Sequence, residues 1–282
     1  MDALISGYGL IEGPVWAPGE GLLFSDVLNG GVRLLAPSGA VETVLPHRKG
    51  IGGIARHAVG GLVVGGRNIS FKSLRDDRAA VLLDTAELPG AIGFNDLTTD
   101  AAGRVYVGSV AFRVFGGEQP KPGQLYVIDL DGRARAISDG VMLTNGLGFS
   151  PDGRTLYHSD SRSDLVRAYD VRADGSVGPW RPFARSAETP DGLAVATDGS
   201  VWVALAEGGA VAVFNPDGTE RARLPVPLPM VTSVCFGGDD LRDLYVVTGS
   251  RGGPRADCGT VYRTRVEVPG MLRPLARVAL PG

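Results

Sequence analysis

The chain has 282 residues and a formal net charge of −3, with 28 Lys and Arg set against 31 Asp and Glu. The basic residues are dispersed, so no run can follow a phosphate backbone and nucleic acid is excluded as a partner. No stretch approaches the roughly 20 apolar residues of a membrane-spanning helix, and the first residues carry no basic start followed by an apolar core, which points to a cytoplasmic protein.

Glycine at 42 residues, proline at 19 and a hydrophobic fraction of 44% suit short strands joined by many tight turns. In chain order, one pair of elements recurs. Glu12-Gly-Pro-Val opens an apolar strand that turns at Pro18-Gly19-Glu20 into Gly21-Leu-Leu-Phe-Ser. Gly52-Gly-Ile leads through Val59-Gly60 to Gly61-Leu-Val-Val-Gly, and Asn95-Asp-Leu through Ala102-Gly103 to Arg104-Val-Tyr-Val-Gly. Asn145-Gly-Leu leads through Pro151-Asp152-Gly153 to Thr155-Leu-Tyr-His-Ser. Asp191-Gly-Leu leads through Asp198-Gly199 to Ser200-Val-Trp-Val-Ala, and Thr232-Ser-Val through Gly238-Asp239-Asp240 to Asp243-Leu-Tyr-Val-Val. The runs are short and punctuated by turn residues, the strand pattern and not the 3.6 period of a helix. Asp-Gly and Pro-Asp-Gly supply the positive φ that tight hairpins need.

The copies recur at roughly 40 to 50 residues, the spacing of four-stranded blades stacked around an axis. The sequence therefore predicts an all-β, six-bladed β-propeller with four-stranded blades, a single domain over residues 1–282. Blade boundaries fall near 12–47, 48–89, 90–139, 140–186, 187–227 and 228–266. The two ends, residues 1–10 and 266–282, are expected to complete the outer edge of the last blade. The longest irregular insertion, residues 110–122, contains Phe112, Arg113, Phe115 and Glu118, and long loops on a rigid scaffold shape access to a site.

The chemistry lies in the phase of the repeat. Taken singly, Asn145-Gly146 and Asp191-Gly192 are ordinary turn dipeptides. Glu12, Asn95, Asn145 and Asp191, however, stand at the same point of four repeats, where radial stacking brings them to one central pocket. Two carboxylates and two amide oxygens suit one hard divalent cation, Ca²⁺, Mg²⁺ or Mn²⁺, with Zn²⁺ reachable through carboxylate ligation. Such a site suits hydrolysis of an ester or lactone. Cys235 and Cys258 are too few for a disulfide framework and read as reduced thiols. His158 is a candidate pocket-lining residue, Asp160 and Ser161 are candidate supports for Asn145, and the three tryptophans read as blade packing.

These residues carry a family resemblance. Glu12-Gly-Pro-Val-Trp16, Phe94-Asn-Asp96, Asn145-Gly-Leu-Gly-Phe-Ser-Pro-Asp-Gly-Arg-Thr-Leu-Tyr157 with Asp160-Ser161, Pro190-Asp-Gly-Leu193 and Thr232-Ser-Val-Cys-Phe-Gly-Gly238 resemble the SMP-30/gluconolactonase family, over nearly the whole chain and in order. The resemblance implies a divalent metal, calcium first among the candidates, held by Glu12, Asn145 and Asp191. It implies Asp191 as general base and Asn95 as a ligand of metal or substrate. Aldonolactone-processing relatives carry an arginine two residues before this asparagine and an acidic pair in the blade-three strand region. Here Gly93 stands at the first position, and Phe112 and Arg113 take the place of the pair. The substrate expected is a small lactone or ester, less hydroxylated than gluconolactone, with Asn95, Phe112, Arg113 and His158 about it. Phosphotriester hydrolysis and non-catalytic calcium binding are the alternatives.

Overall fold

The computed structural model describes residues 1–114 and 116–281, so Phe115 of the insertion lies outside the described residues. Among the described residues, twenty-four strands form six four-stranded antiparallel sheets, a six-bladed β-propeller. Five blades are continuous stretches of chain. Their innermost strands are Ile11–Ala17, Ile54–Arg56, Gly93–Thr99, Thr144–Phe149 and Pro190–Val195. The sixth begins at Val231–Gly237 and is closed on its outside by Asp2–Tyr8, which pairs antiparallel with Gly259–Arg265. Pairing the N-terminal strand with the last strand, Gly259–Arg265, in one sheet leaves the ring no open seam.

Local sequence explains the blades. Gly132, Gly153, Gly175, Gly199 and Gly218 hold φ between 70° and 85° in their Asp-Gly turns, a region that costs glycine nothing. The strands pack blade on blade through alternating apolar faces. Trp16 stacks on Tyr245 with ring centroids 5.5 Å apart, and Trp202 meets Phe236 edge-on at 5.4 Å. Both tryptophans thus weld neighbouring blades. The second blade has the shortest inner strands, and its outer pair, Asn68–Lys72 and Ala79–Asp84, spans the least regular part of the sequence.

The C-terminal end departs from the sequence reading. The outer edge of blade six needs one strand, which residues 2–8 supply. Residues 266–281 instead run beneath the ring: Gly270 bridges to Ala196, Ala276 to His57, and the backbone N–H of Arg277 and Ala279 donate to Gly103 and Leu130. Pro269 and Pro274 lack the N–H that an edge strand would use. Ala276 and Val278 are fully buried in the core between blades two and three, so burial holds this segment where a sheet ladder would not.

Candidate active site

Each residue singled out by the repeat lies near the start of an inner strand, and five of these strands are irregular there. Register breaks fall between Glu12 and Val15, Phe94 and Leu97, Thr144 and Leu147, Pro190 and Leu193, and Val231 and Ser233. A bulge places two successive residues against one on the partner strand and re-aims a side chain. Asn95, Asn145, Asp191 and Thr232 fall inside such breaks, and Glu12, still paired with Ser25, borders its own.

The bulges meet in a closed ring. A Cβ on Gly13 would come within 2.8 Å of the Gly52 carbonyl oxygen, and one on Gly52 within 2.1 Å of the Asn95 side-chain oxygen. Asn95 donates to the Thr144 carbonyl at 2.9 Å. A Cβ on Gly146 would lie 2.4 Å from the Leu193 nitrogen, and one on Gly192 2.0 Å from Ser233 Oγ. Thr232 Oγ1 then donates to the Ile11 carbonyl at 2.6 Å, beside Glu12. Glycine after asparagine and after aspartate is therefore required by close approach of neighbouring blades, more than by chain reversal.

Hydrogen bonds orient the amides. The Pro190 carbonyl only accepts, so Ser161 donates its hydroxyl there at 2.6 Å and accepts from Asn145 Nδ2 at 2.7 Å. Asn145 Oδ1 is thereby turned the other way, where it accepts from Asn95. Asp160, fully buried, accepts from the backbone N–H of Leu143 at 3.1 Å and from Arg167 at 2.6 Å. It braces the segment that leads into Thr144 and Asn145.

The electrostatics are those of an acid cluster. Burial is the largest cause raising the Glu12 carboxyl well above its usual range, and the charges of Asp191 and Asp96 add to it. Asp191 is raised in the same way, by burial and then by Asp96, while Arg251 opposes. Asp191 Oδ1 is buried with no hydrogen-bond partner among the described residues. Asp96, only 8% exposed, is pushed up to about 7 by burial, and the cation acting on it is Arg273. Among the described residues, no three His, Cys, Asp or Glu side chains form a chelating group by themselves. Asp96 thus reaches Glu12 and Asp191 through its field.

Asp96 escaped the sequence reading because strict alternation points the neighbour of Asn95 away from the channel, and the bulge removes that alternation. The only signal was its place beside Asn95. His158 is fully buried in the second strand of blade four, one strand out from the channel, and shares a 2.7 Å hydrogen bond with Thr144 Oγ1. Burial and Arg167 lower its pKa to about 3. An enclosed neutral imidazole has no surface to offer a substrate, so His158 stands as support for the inner strand. Phe112 is likewise folded in at 1% exposure, whereas the Arg113 side chain is 78% exposed, 3.7 Å from Glu118. Gly93, at the foot of this insertion, pairs with Val110, and a Cβ added there would come 3.3 Å from the Gly66 carbonyl oxygen. Cys235 and Cys258 are free thiols. No helix among the described residues is long and apolar enough to cross a membrane.

With this geometry in place, the sequence profile of the SMP-30/gluconolactonase/LRE-like region matches residues 10–250. The chain belongs to that family. It is 36% identical to 6-deoxy-6-sulfogluconolactonase of Pseudomonas putida over 94% of both chains. It is 34% identical to pentonolactonase XacC of Haloferax volcanii, covering 86% of this chain and 82% of that one. A calcium-binding protein, regucalcin from Agrobacterium tumefaciens, shares the fold with a TM-score of 0.86 at 22% identity, over 98% of this chain and 97% of that one.

Proposed function

We propose that this member of the family is a divalent-cation-dependent lactonase in which Asp191 is the general base. The observation that carries the reading is the buried Asp191 Oδ1, without a hydrogen-bond partner among the described residues, in a cluster where Asp191 and Asp96 raise the pKa of Glu12 and Asp96 raises that of Asp191. Buried like charges without a partner are costly, and a cation removes that cost. The donor set fits one: Glu12 and Asp191 offset a divalent charge, and Asn145 is held by Ser161 with its oxygen turned inward. All-oxygen ligation favours Ca²⁺ over thiolate- or imidazole-seeking metals. A cation so held supplies positive charge for the oxygen of a lactone carbonyl as it becomes negative.

The chain's own residues do the rest. Asp191 takes the proton of the attacking water, its basicity raised by burial and by Asp96. Asn95, pinned through its amide nitrogen, presents its oxygen to a substrate hydroxyl. Gly93 brings no side chain and Phe112 is withdrawn, so a polyol chain finds few fixed partners here. Both lactonase relatives are named for substrates lacking the 6-hydroxyl of gluconolactone, one a 6-deoxy-6-sulfo sugar lactone that carries a sulfo group there and one a pentonolactone. A sugar-acid lactone poorer in hydroxyls than gluconolactone is the substrate class that fits.

The test is to strip the protein with a chelator, restore Ca²⁺, Mg²⁺, Mn²⁺ or Zn²⁺ singly, and assay pentonolactones, 6-deoxyhexonolactones, gluconolactone and a phosphotriester. Cation-dependent lactone opening that vanishes in Asp191→Asn is expected. Saturable cation binding without lactone turnover, or near-normal turnover by Asp191→Asn, overturns the reading.

A further inference from the structure

Further along the inner strands that carry Glu12, Asn145 and Asp191, later residues line a second space, a cavity of about 410 Å³. None of Glu12, Asn95, Asp96, Asn145 and Asp191 borders it. Trp16, Leu147 and Leu193 give it apolar walls, and the C-terminal segment adds Met271 and Arg273. That segment is fastened on both sides of Arg273. Met271 N donates to the Val195 carbonyl at 3.0 Å, and Thr99 Oγ1 donates to the Pro274 carbonyl at 2.5 Å.

The other charged residues that border the cavity come from the turns of blades three and four, and their needs are met locally. Arg104 pairs with Asp100 at 3.0 Å, Asp152 accepts from Ser150 Oγ at 2.6 Å, and the exposed Arg172 donates to the Val177 carbonyl at 3.0 Å. Arg273 differs. It is half-buried, its hydrogen bond runs from Nη1 to the Ile54 carbonyl at 2.9 Å, and among the described residues it forms no ion pair. A partly desolvated cation with one neutral acceptor lacks the counter-charge that would offset its burial.

We infer that this cavity is a second ligand site, separate from the acid cluster, and that it takes a small monocarboxylate with an apolar body. The carboxylate pairs with Arg273, and the body lies against Trp16, Leu147 and Leu193. Apolar walls with one well-placed polar group are the usual make-up of a small-molecule pocket of this volume. Nε and Nη2 of Arg273 carry no bond among the described residues, and a guanidinium edge of that kind meets a carboxylate through two parallel hydrogen bonds. One guanidinium balances one negative charge, so a dianion such as a phosphate monoester would keep a charge unmatched. A sugar acid is a carboxylate as well, but its hydroxyls would find no partners on these walls.

The test needs neither the cation site nor turnover. Chelator-stripped, dialysed protein is titrated calorimetrically with 3-phenylpropionate, with its neutral amide and with gluconate. One-to-one binding of 3-phenylpropionate, about tenfold or more tighter than either comparison compound, is expected, because the ion pair and the apolar contact are each worth at least that factor. Arg273→Met should weaken it by about tenfold or more and Arg273→Lys by less, while Arg172→Met should stay within about twofold of the parent. Absence of saturable binding, equal affinity for acid and amide, or gluconate bound as tightly overturns the inference. So does unchanged affinity in a folded Arg273→Met protein, or a loss that follows Arg172 instead. If Arg273→Met does not fold, crystals of the parent soaked with 3-(4-bromophenyl)propionate decide: an anomalous bromine signal inside the cavity supports the site, and no signal there overturns it.

Discussion

Asn95 donates its side-chain amide to the side-chain oxygen of Asn145, one blade further round the ring. The contact joins two repeats whose only relation in the sequence is their phase. It also makes the orientation of both amides a single unit, because Ser161 fixes Asn145 and the Thr144 carbonyl fixes Asn95.

That unit is tested at Ser161. Ser161→Ala leaves Asn145 Nδ2 buried without an acceptor, at about 1–3 kcal/mol of stability. Free rotation of the amide should weaken cation affinity by roughly 10- to 100-fold. Calorimetric ion binding together with a melting curve checks both effects, and a variant with parental affinity would place no orienting role on Ser161.

The close approach of blades four and five is tested at Gly146. An added Cβ would lie 2.7 Å from the Asp191 carbonyl oxygen as well as 2.4 Å from the Leu193 nitrogen, both backbone atoms that cannot swing aside. Gly146→Ala should cost about 1–3 kcal/mol or more by overpacking, and should impair cation binding through the displaced Asp191. Denaturant unfolding measures the first and calorimetry the second.

His158 should prove structural. His158→Ala opens a cavity and strands the Thr144 hydroxyl, at about 2–4 kcal/mol. The KM for lactone in the folded variant should change little. Since its pKa lies near 3, His158 contributes no inflection to the pH–rate profile above about pH 4. A selective rise in KM would show instead that the ring reaches substrate.

The cation-free protein should lose stability as pH rises. Glu12, Asp96 and Asp191 have folded-state pKa values above their ordinary ones, so the folded form binds more protons than the unfolded chain. Their contribution is fully present below about pH 4 and is lost as pH climbs through the folded values, about 7 for Asp96. For Asp96 alone it is on the order of 4 kcal/mol. Scanning calorimetry with chelator between pH 5 and 8 should show a falling Tm that saturating Ca²⁺ flattens. A chelated protein whose Tm rises over that range contradicts the charge assignment.

Much of this was legible from residues 12 to 248 alone. Turn dipeptides and alternating apolar runs are local features, and they located every blade to within a few residues, because hairpin geometry depends on neighbours in the chain. The common phase of Glu12, Asn95, Asn145 and Asp191 pointed to the ring for the same reason. Phe112 and His158 were not legible in this way. Whether a side chain lines a channel or is enclosed behind it depends on which strand of the blade it occupies and what packs over it.

The sequence by itself determined the number of blades, their boundaries and which residues share a position in the repeat, since these follow from short-range periodicity and turn chemistry. The tertiary structure alone decided three things. It brought Asp96 into the electrostatic cluster by breaking strand alternation at a bulge, and it turned the Asn145 oxygen toward Asn95 through Ser161 and Pro190. It also laid residues 266–281 across the ring, on a segment with no period of its own. Each depends on contacts between stretches far apart in the chain, where burial and hydrogen-bond satisfaction, and not local propensity, select the outcome.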